Sequence, residues 1–169
     1  MSTVDDWQDR VNAVWADDSL NNAEVIDRID ELVAERPADD AVAAFEAAGA
    51  RDSAGLEAQA EPLYRRALAL GLPESQRAQA TIQLASTIRN LGRVDESIAM
   101  LRAERAAHPG GEFDGATAAF LALALASSGD SIEATKVALL ALVPHLPRYQ
   151  RSVTAYAAEL NEGDKTPNS

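Results

Sequence analysis

The chain has 169 residues and no cysteine, which excludes disulfides, thiolate metal sites and cysteine nucleophiles. Its net charge of −12 disfavours nucleic acid as a partner, and no apolar run reaches the ~18 residues that a membrane span requires. Hydrophobic residues make up 47% and aromatics only 5%, with abundant alanine, so one domain of helices packed closely through small side chains is expected.

Residues 4–16 place Val4, Trp7, Val11, Val14 and Trp15 at helical spacing, one apolar stripe that carries both tryptophans. Asp5, Asp6 and Asp9 fall in its first turns, where they suit the helix dipole. They leave no basic-then-apolar signal segment, so a cytoplasmic protein is expected. Asp17–Asp18–Ser19 breaks the pattern. A second helix follows over 21–36, with Val25, Ile26, Ile29, Leu32 and Val33 inward and Pro37 and Asp39–Asp40 ending it. Residues 1–40 carry nine Asp and three Glu against Arg10, Arg28 and Arg36, most of the chain's negative charge. This front is either a solvated face or a docking segment for a basic partner. The tryptophan stripe calls for burial, and the neighbouring helix is the nearest surface, so residues 1–38 are expected to form an N-terminal helical cap.

Residues 40–54, rich in alanine and containing Phe45, and 57–70 predict a helical pair. Pro62 inside the second helix predicts a late start or a kink. Gly71 suits a stop and Pro73 the first position of the next helix. Residues 74–91, with Ala78, Thr81, Leu84, Ala85 and Ile88 on one face, pair with 94–107. His108 is expected at that helix's C-terminus, before the turn Pro109–Gly110–Gly111. Residues 114–127 and 131–143 form a third pair. The run Phe120–Leu121–Ala122–Leu123–Ala124–Leu125 has so little polar face that burial on more than one side is expected. Pro144 and Pro147 bracket a break before a last helix, 148–160, with Tyr149, Val153, Tyr156 and Leu160. The polar stretch 161–169 is expected to be disordered.

The three pairs share one pattern. Gly55, Gly92 and Gly129 recur at a spacing of 37. Five residues after each stands a small residue (Ala60, Ser97, Ala134), and four further on Tyr64, Leu101 or Ala138. Eight residues before each lie Ala47–Ala48, Leu84–Ala85 and Leu121–Ala122. Such periodicity marks stacked helical hairpins. The expected fold is all-α: an α-solenoid of about three hairpins over 39–146, with a capping helix over 147–160, in a single repeat domain of residues 1–160.

These residues resemble the tetratricopeptide repeat, W-x2-L-G-x2-Y…A-x3-F…P. Ala60-x3-Tyr64 with Ala67, Ser97-x3-Leu101, and Ala134-x3-Ala138 with Ala141 match its second helix. Leu84-Ala85-x2-Ile88 and Leu121-Ala122-x2-Leu125 match its first. Arg51 and Glu104 depart from it. The usual period is about 34, so each junction should carry about three extra residues. Asp52–Ser53, Pro62–Leu63–Tyr64–Arg65–Arg66–Ala67–Leu68, Arg89–Asn90–Leu91–Gly92 and Arg148–Tyr149 are similar to a small, uncharacterised bacterial tetratricopeptide family, over roughly 40–160. The resemblance implies a non-catalytic protein-interaction module, open to dimerisation, with no assigned cofactor.

No motif contradicts that reading. His108 and His145 stand beside prolines without metal-ligand spacing, and Gly110–Gly111 lacks the rest of a phosphate loop. No enzyme activity, metal or cofactor is expected. The expected binding surface is the groove lined by first helices, where helical spacing puts Phe45, Gly49, Asp52, Ser53, Ile82, Gln83, Ser86, Arg89, Asn90, Ala119, Leu123 and Ser127. Arg89 and Asn90 either donate to a ligand carboxylate or backbone, or merely end a helix. Arg51 either snorkels, pairs with Asp52 or Glu57 at the surface, or marks an interface, where arginine is enriched. Two functions remain open: capture of a peptide or protein segment in the groove, or a homodimer whose groove or apolar third repeat is filled by a second copy.

Overall fold

The computed structural model describes residues 3–160, and of the first five residues no side chain, so Val4 and Asp5 and the tail at 161–169 lie outside the described parts. The chain divides into two compact units, Met1–Leu91 and Gly92–Ser169. Among the described residues every regular element is helical.

The first unit holds α1 (Thr3–Trp15), α2 (Asn22–Ala34), α3 (Ala41–Ser53), α4 (Glu57–Leu70) and α5 (Glu74–Asn90). Each helix packs on the next, and α3 also touches α5. Side chains fix the starts of α2 and α3. Asn21 caps α2 through a capping box with Glu24, and the Asp40 carboxylate accepts from the Ala43 N–H at 3.0 Å. Asp40 thus begins α3 as well as ending the preceding pattern. The repeat glycines have a backbone reason. Gly55, Gly92 and Gly129 all have positive φ, which costs other residues. After Gly55 and Gly129 the next N–H reaches back five residues, Leu56 to the Arg51 carbonyl and Asp130 to that of Leu125. The 37-residue period is therefore a periodic helix stop.

Pro62 lies well inside α4, which starts on time at Glu57. The late start does not occur, and the Ala58 carbonyl forgoes its helical donor. Pro73 caps α5 from just outside rather than occupying its first position. The extra residues of the long period are not shared evenly. Three residues join α4 to α5, whereas α5 itself runs to 17 residues.

The core of this unit begins with Trp7, which is 3% exposed. Its indole N–H donates to the Leu32 carbonyl at 2.8 Å, and the Arg36 guanidinium sits 5.1 Å above its ring. Trp7 and Val11 pack with Ile29, Leu32, Ala43 and Ala50, so α1 is seated on α2 and α3. Arg51 pairs with neither Asp52 nor Glu57. It forks onto Asp30 of α2 at 2.9 and 2.8 Å, since the preceding helix offers a carboxylate in a bidentate geometry. Further along, Ala60, Tyr64, Ala67, Leu84 and Ile88 are buried among α3, α4 and α5.

The second unit holds α6 (Val94–Ala107), α7 (Asp114–Ser128), α8 (Ser131–Leu142), a 3-10 turn (Val143–His145) and α9 (Gln150–Glu159). Its core is Ile98, Leu101, Ala118, Leu121, Ala124, Leu125, Ala134 and Val137. Glu104, the departure from the repeat pattern, is buried, with the His108 ring nitrogen 3.3 Å away. The expectation that α7 is covered on more than one side fails at Leu123, which is 51% exposed. Tyr149, just before α9, and Tyr156 on it are exposed, and Ala157 is the buried residue of this helix.

Tyr64 is the largest fully buried side chain among the described residues. Truncating a buried aromatic costs about 3–5 kcal/mol. Tyr64→Ala should lose stability in that range by chemical denaturation. Loss below about 1 kcal/mol would show that α4 does not depend on this ring.

Candidate functional site

An open cleft of about 550 Å³ lies in the first unit. Its lining comes chiefly from α3 (Phe45, Glu46, Gly49, Asp52, Ser53) and α5 (Gln79, Gln83, Ser86, Asn90), with Trp15 of α1 and Tyr64 of α4. The spacing explains why these residues meet. On α5 they recur at i, i+4, i+7 and i+11, one face of the helix. On α3, residues 45, 49 and 52 and residues 46, 49 and 53 are neighbouring rows of the same face. Gly49 keeps the floor low. A Cβ there would stand 3.5 Å from the Trp15 ring, so the indole lies directly over it.

Seven of the ten principal residues expected from the sequence come together here: Phe45, Gly49, Asp52, Ser53, Gln83, Ser86 and Asn90. Three do not. Ile82 is buried, because it continues the row Ala78–Ile82–Ala85 into the core. Arg89 is the next member of that same row and turns away from the cleft, donating to Asn90 Oδ1 at 3.2 Å. Leu123, like Ala119 and Ser127, is exposed on α7 in the second unit and lines no part of this cleft. Asn90, the donor that does line the cleft, also reaches Glu57 Oε1 at 3.5 Å.

Four lining residues were missed from sequence: Trp15, Glu46, Tyr64 and Gln79. Gln79 and Glu46 were legible, since each lies one turn from an expected residue, Gln83 and Gly49. Tyr64, marked in the sequence only by its repeat position, is buried in the core and borders the cleft as well. Trp15 had no local signal, because only the docking of α1 brings it here.

Two carboxylates dominate the electrostatics. Glu46 is only 7% exposed. It accepts from the Trp15 indole N–H at 2.8 Å and from the Gln8 amide at 3.4 Å. Asp52 accepts from the Tyr64 hydroxyl at 3.2 Å, and the Thr87 hydroxyl stands 3.0 Å away. The same Thr87 oxygen is 2.9 Å from the Gln83 carbonyl, so its single proton serves one acceptor at a time. Burial pushes the Asp52 carboxyl above its ordinary value of 3.8; the two hydroxyls oppose this, and the nearby charge of Glu57 adds to it. Burial and the Asp52 charge in turn hold the Tyr64 phenol protonated, raising its pKa. The cleft offers mostly hydrogen-bond acceptors, a few amide donors, and two aromatic walls. Among the described residues no group of three or more potential ligands could hold a metal ion, and no helix is long and apolar enough to cross a membrane.

The family model described as tetratrico peptide repeat matches the sequence over residues 41–160, from the start of α3 to the end of α9. A comparison with curated proteins finds no match.

The raised pKa of Asp52 has a sign. The native state holds this proton more tightly than the unfolded chain, so stability falls as pH rises above about 3.8 through the native titration. Above that window the buried charge is a steady cost. Asp52→Asn keeps an acceptor for Tyr64 and removes the charge. It should melt at or above the parent's temperature at pH 7, and the difference should shrink as pH approaches 4. A variant that melts far below the parent at neutral pH would show that the charged hydrogen bonds outweigh desolvation.

Proposed function

Because the chain belongs to the tetratricopeptide repeat family, whose domains generally act as protein-interaction modules, we propose that it binds a peptide or protein segment in the cleft between α3 and α5. One observation carries this reading. One face of α3 and one face of α5 converge on a polar, open cleft with an aromatic wall. A segment laid there finds amide and hydroxyl groups for its backbone and the Trp15 ring for a side chain. The family is typically non-catalytic, and catalysis is not part of the proposal. In this reading α1 and α2 serve as the N-terminal cap, residues 39–146 carry the repeats, and α9 is the terminal helix.

A second reading, a homodimer, is favoured by the second unit. Leu123, Leu140 and Leu142 are exposed there, and leucines left in water lower the cost of association. Light scattering on the purified chain distinguishes the two, since the first reading needs only a monomer.

The cleft is tested by filling it. Ser53 is exposed at the cleft's edge, so Ser53→Trp can occupy the space without entering the core. Affinity capture from native lysate should lose its partner with this variant, while the melting temperature stays within a few degrees of the parent. The same partner retained at full yield would remove the cleft from the interaction.

A further inference from the structure

The charges in the first unit are unequally matched. Away from the cleft, Asp17 accepts from the Ser19 hydroxyl and N–H, but three other carboxylates have arginines: Asp30 has Arg51, Glu35 has Arg10, and Asp40 has Arg36. In the cleft, Glu46 and Asp52 do not. Their donors are an indole, a primary amide, a phenol and a threonine hydroxyl, all neutral. Among the described residues no arginine or lysine lines the cleft. A third acceptor is also unmatched. The Gln83 amide oxygen, in the cleft wall, is buried without a hydrogen-bond donor.

Buried acceptors and buried charge are costly unless donors or counter-charges reach them. Neutral hydrogen bonds orient the two carboxylates but do not cancel their charge, and each carboxylate retains lone pairs beyond those in use. What the cleft lacks is a positively charged group rich in N–H donors. An anionic segment would be repelled, and an aliphatic one would leave the two carboxylates without a counter-charge and the Gln83 oxygen without a donor. The exposed face of Trp15, which is 40% exposed, adds an aromatic surface on which a cation can rest.

We propose that Glu46, Asp52 and Gln83 receive the cationic side chain of an arginine or lysine carried by the segment that binds in this cleft. The proposal rests on the cleft being the segment's site, and it adds the chemical character of what is recognised. It also gives the retained charge of Asp52 a role: the group is poor for stability but suited to a ligand that supplies the missing cation. Association should weaken with added salt, since the contact is between opposite charges.

The test uses the full chain and a displayed library of random-sequence peptides. Binders are sorted by whether Ser53→Trp abolishes binding, which marks those that occupy the cleft. The selected cleft binders should be enriched in arginine or lysine at one position. Replacing that residue by citrulline or norleucine should weaken binding about tenfold or more, the scale of a charge-assisted hydrogen bond. Glu46→Gln with Asp52→Asn should weaken the basic peptide by a similar factor and no longer distinguish it from its neutral version. Circular dichroism and melting check the double variant's fold. If it does not fold, Ser86→Lys is the second probe. It places a cation in the cleft with both acids intact, and should exclude basic peptides while leaving the helix content unchanged.

Cleft binders that lack a basic residue, or basic peptides indifferent to the acid substitutions and to Ser86→Lys, would overturn the cationic specificity and leave the segment-binding reading standing. If no peptide is lost on Ser53→Trp, the cleft reading itself fails, and this proposal with it.

Discussion

The first unit turns on the carboxylate of Asp52. One side chain on α3 meets the Tyr64 hydroxyl from α4 and the Thr87 hydroxyl from α5, so three successive helices share one acceptor. Around it the packing is tight. Tyr64 and Thr87 have no exposed surface, and the Tyr64 ring leans on Phe45 with centroids 6.1 Å apart. A buried hydroxyl is costly without a partner; Asp52 accepts from that of Tyr64, and offers Thr87 an alternative to the Gln83 carbonyl. The acceptor that serves the core also faces the cleft, so core order and cleft chemistry are set by the same atom pair.

Alanine decides how near the helices come. Ala48, Ala50, Ala60, Ala67, Ala80 and Ala85 are all fully buried in this unit. Each contributes little apolar area, so the energy gathers in a few large side chains such as Tyr64, Leu84 and Ile88. Between neighbours built this way, small residues at the contacts let side chains on the outer faces stand apart and leave a trough. Gly49 under Trp15 is the clearest instance. Both units leave some leucine in water, most of all at Leu123 and Leu142 of the second.

Most of the helical pattern was legible in the sequence because it is local. Apolar spacing, the repeating glycines and the acidic caps each act within a turn or two, and the helices begin and end within two residues of the expected places. The site was partly legible for the same reason. Residues such as Gln83, Ser86 and Asn90 follow from counting turns on α5. Ile82 and Arg89 do not line the cleft, because they continue the row of Ala78 and Ala85 rather than that of Gln79 and Gln83. What local reasoning could not reach were contacts between distant parts of the chain. Arg51 finds Asp30 21 residues away, and Trp15 finds Glu46 31 residues away. Neither pairing leaves a trace in spacing, since any of several carboxylates would serve equally well on paper.

The two indoles of the chain occupy opposite surroundings. Trp7 is sealed in the core under Arg36, whereas Trp15 stands half open beside the Glu46 carboxylate. Their fluorescence should therefore divide by quencher charge as well as by depth. The acidic neighbourhood repels an anion such as iodide and concentrates a cation such as caesium. Caesium should quench a fraction of the emission that iodide leaves largely untouched, and that fraction belongs to Trp15. Occupation of the trough would shield it, so the native protein carries its own optical record of whether the space beside Glu46 is filled.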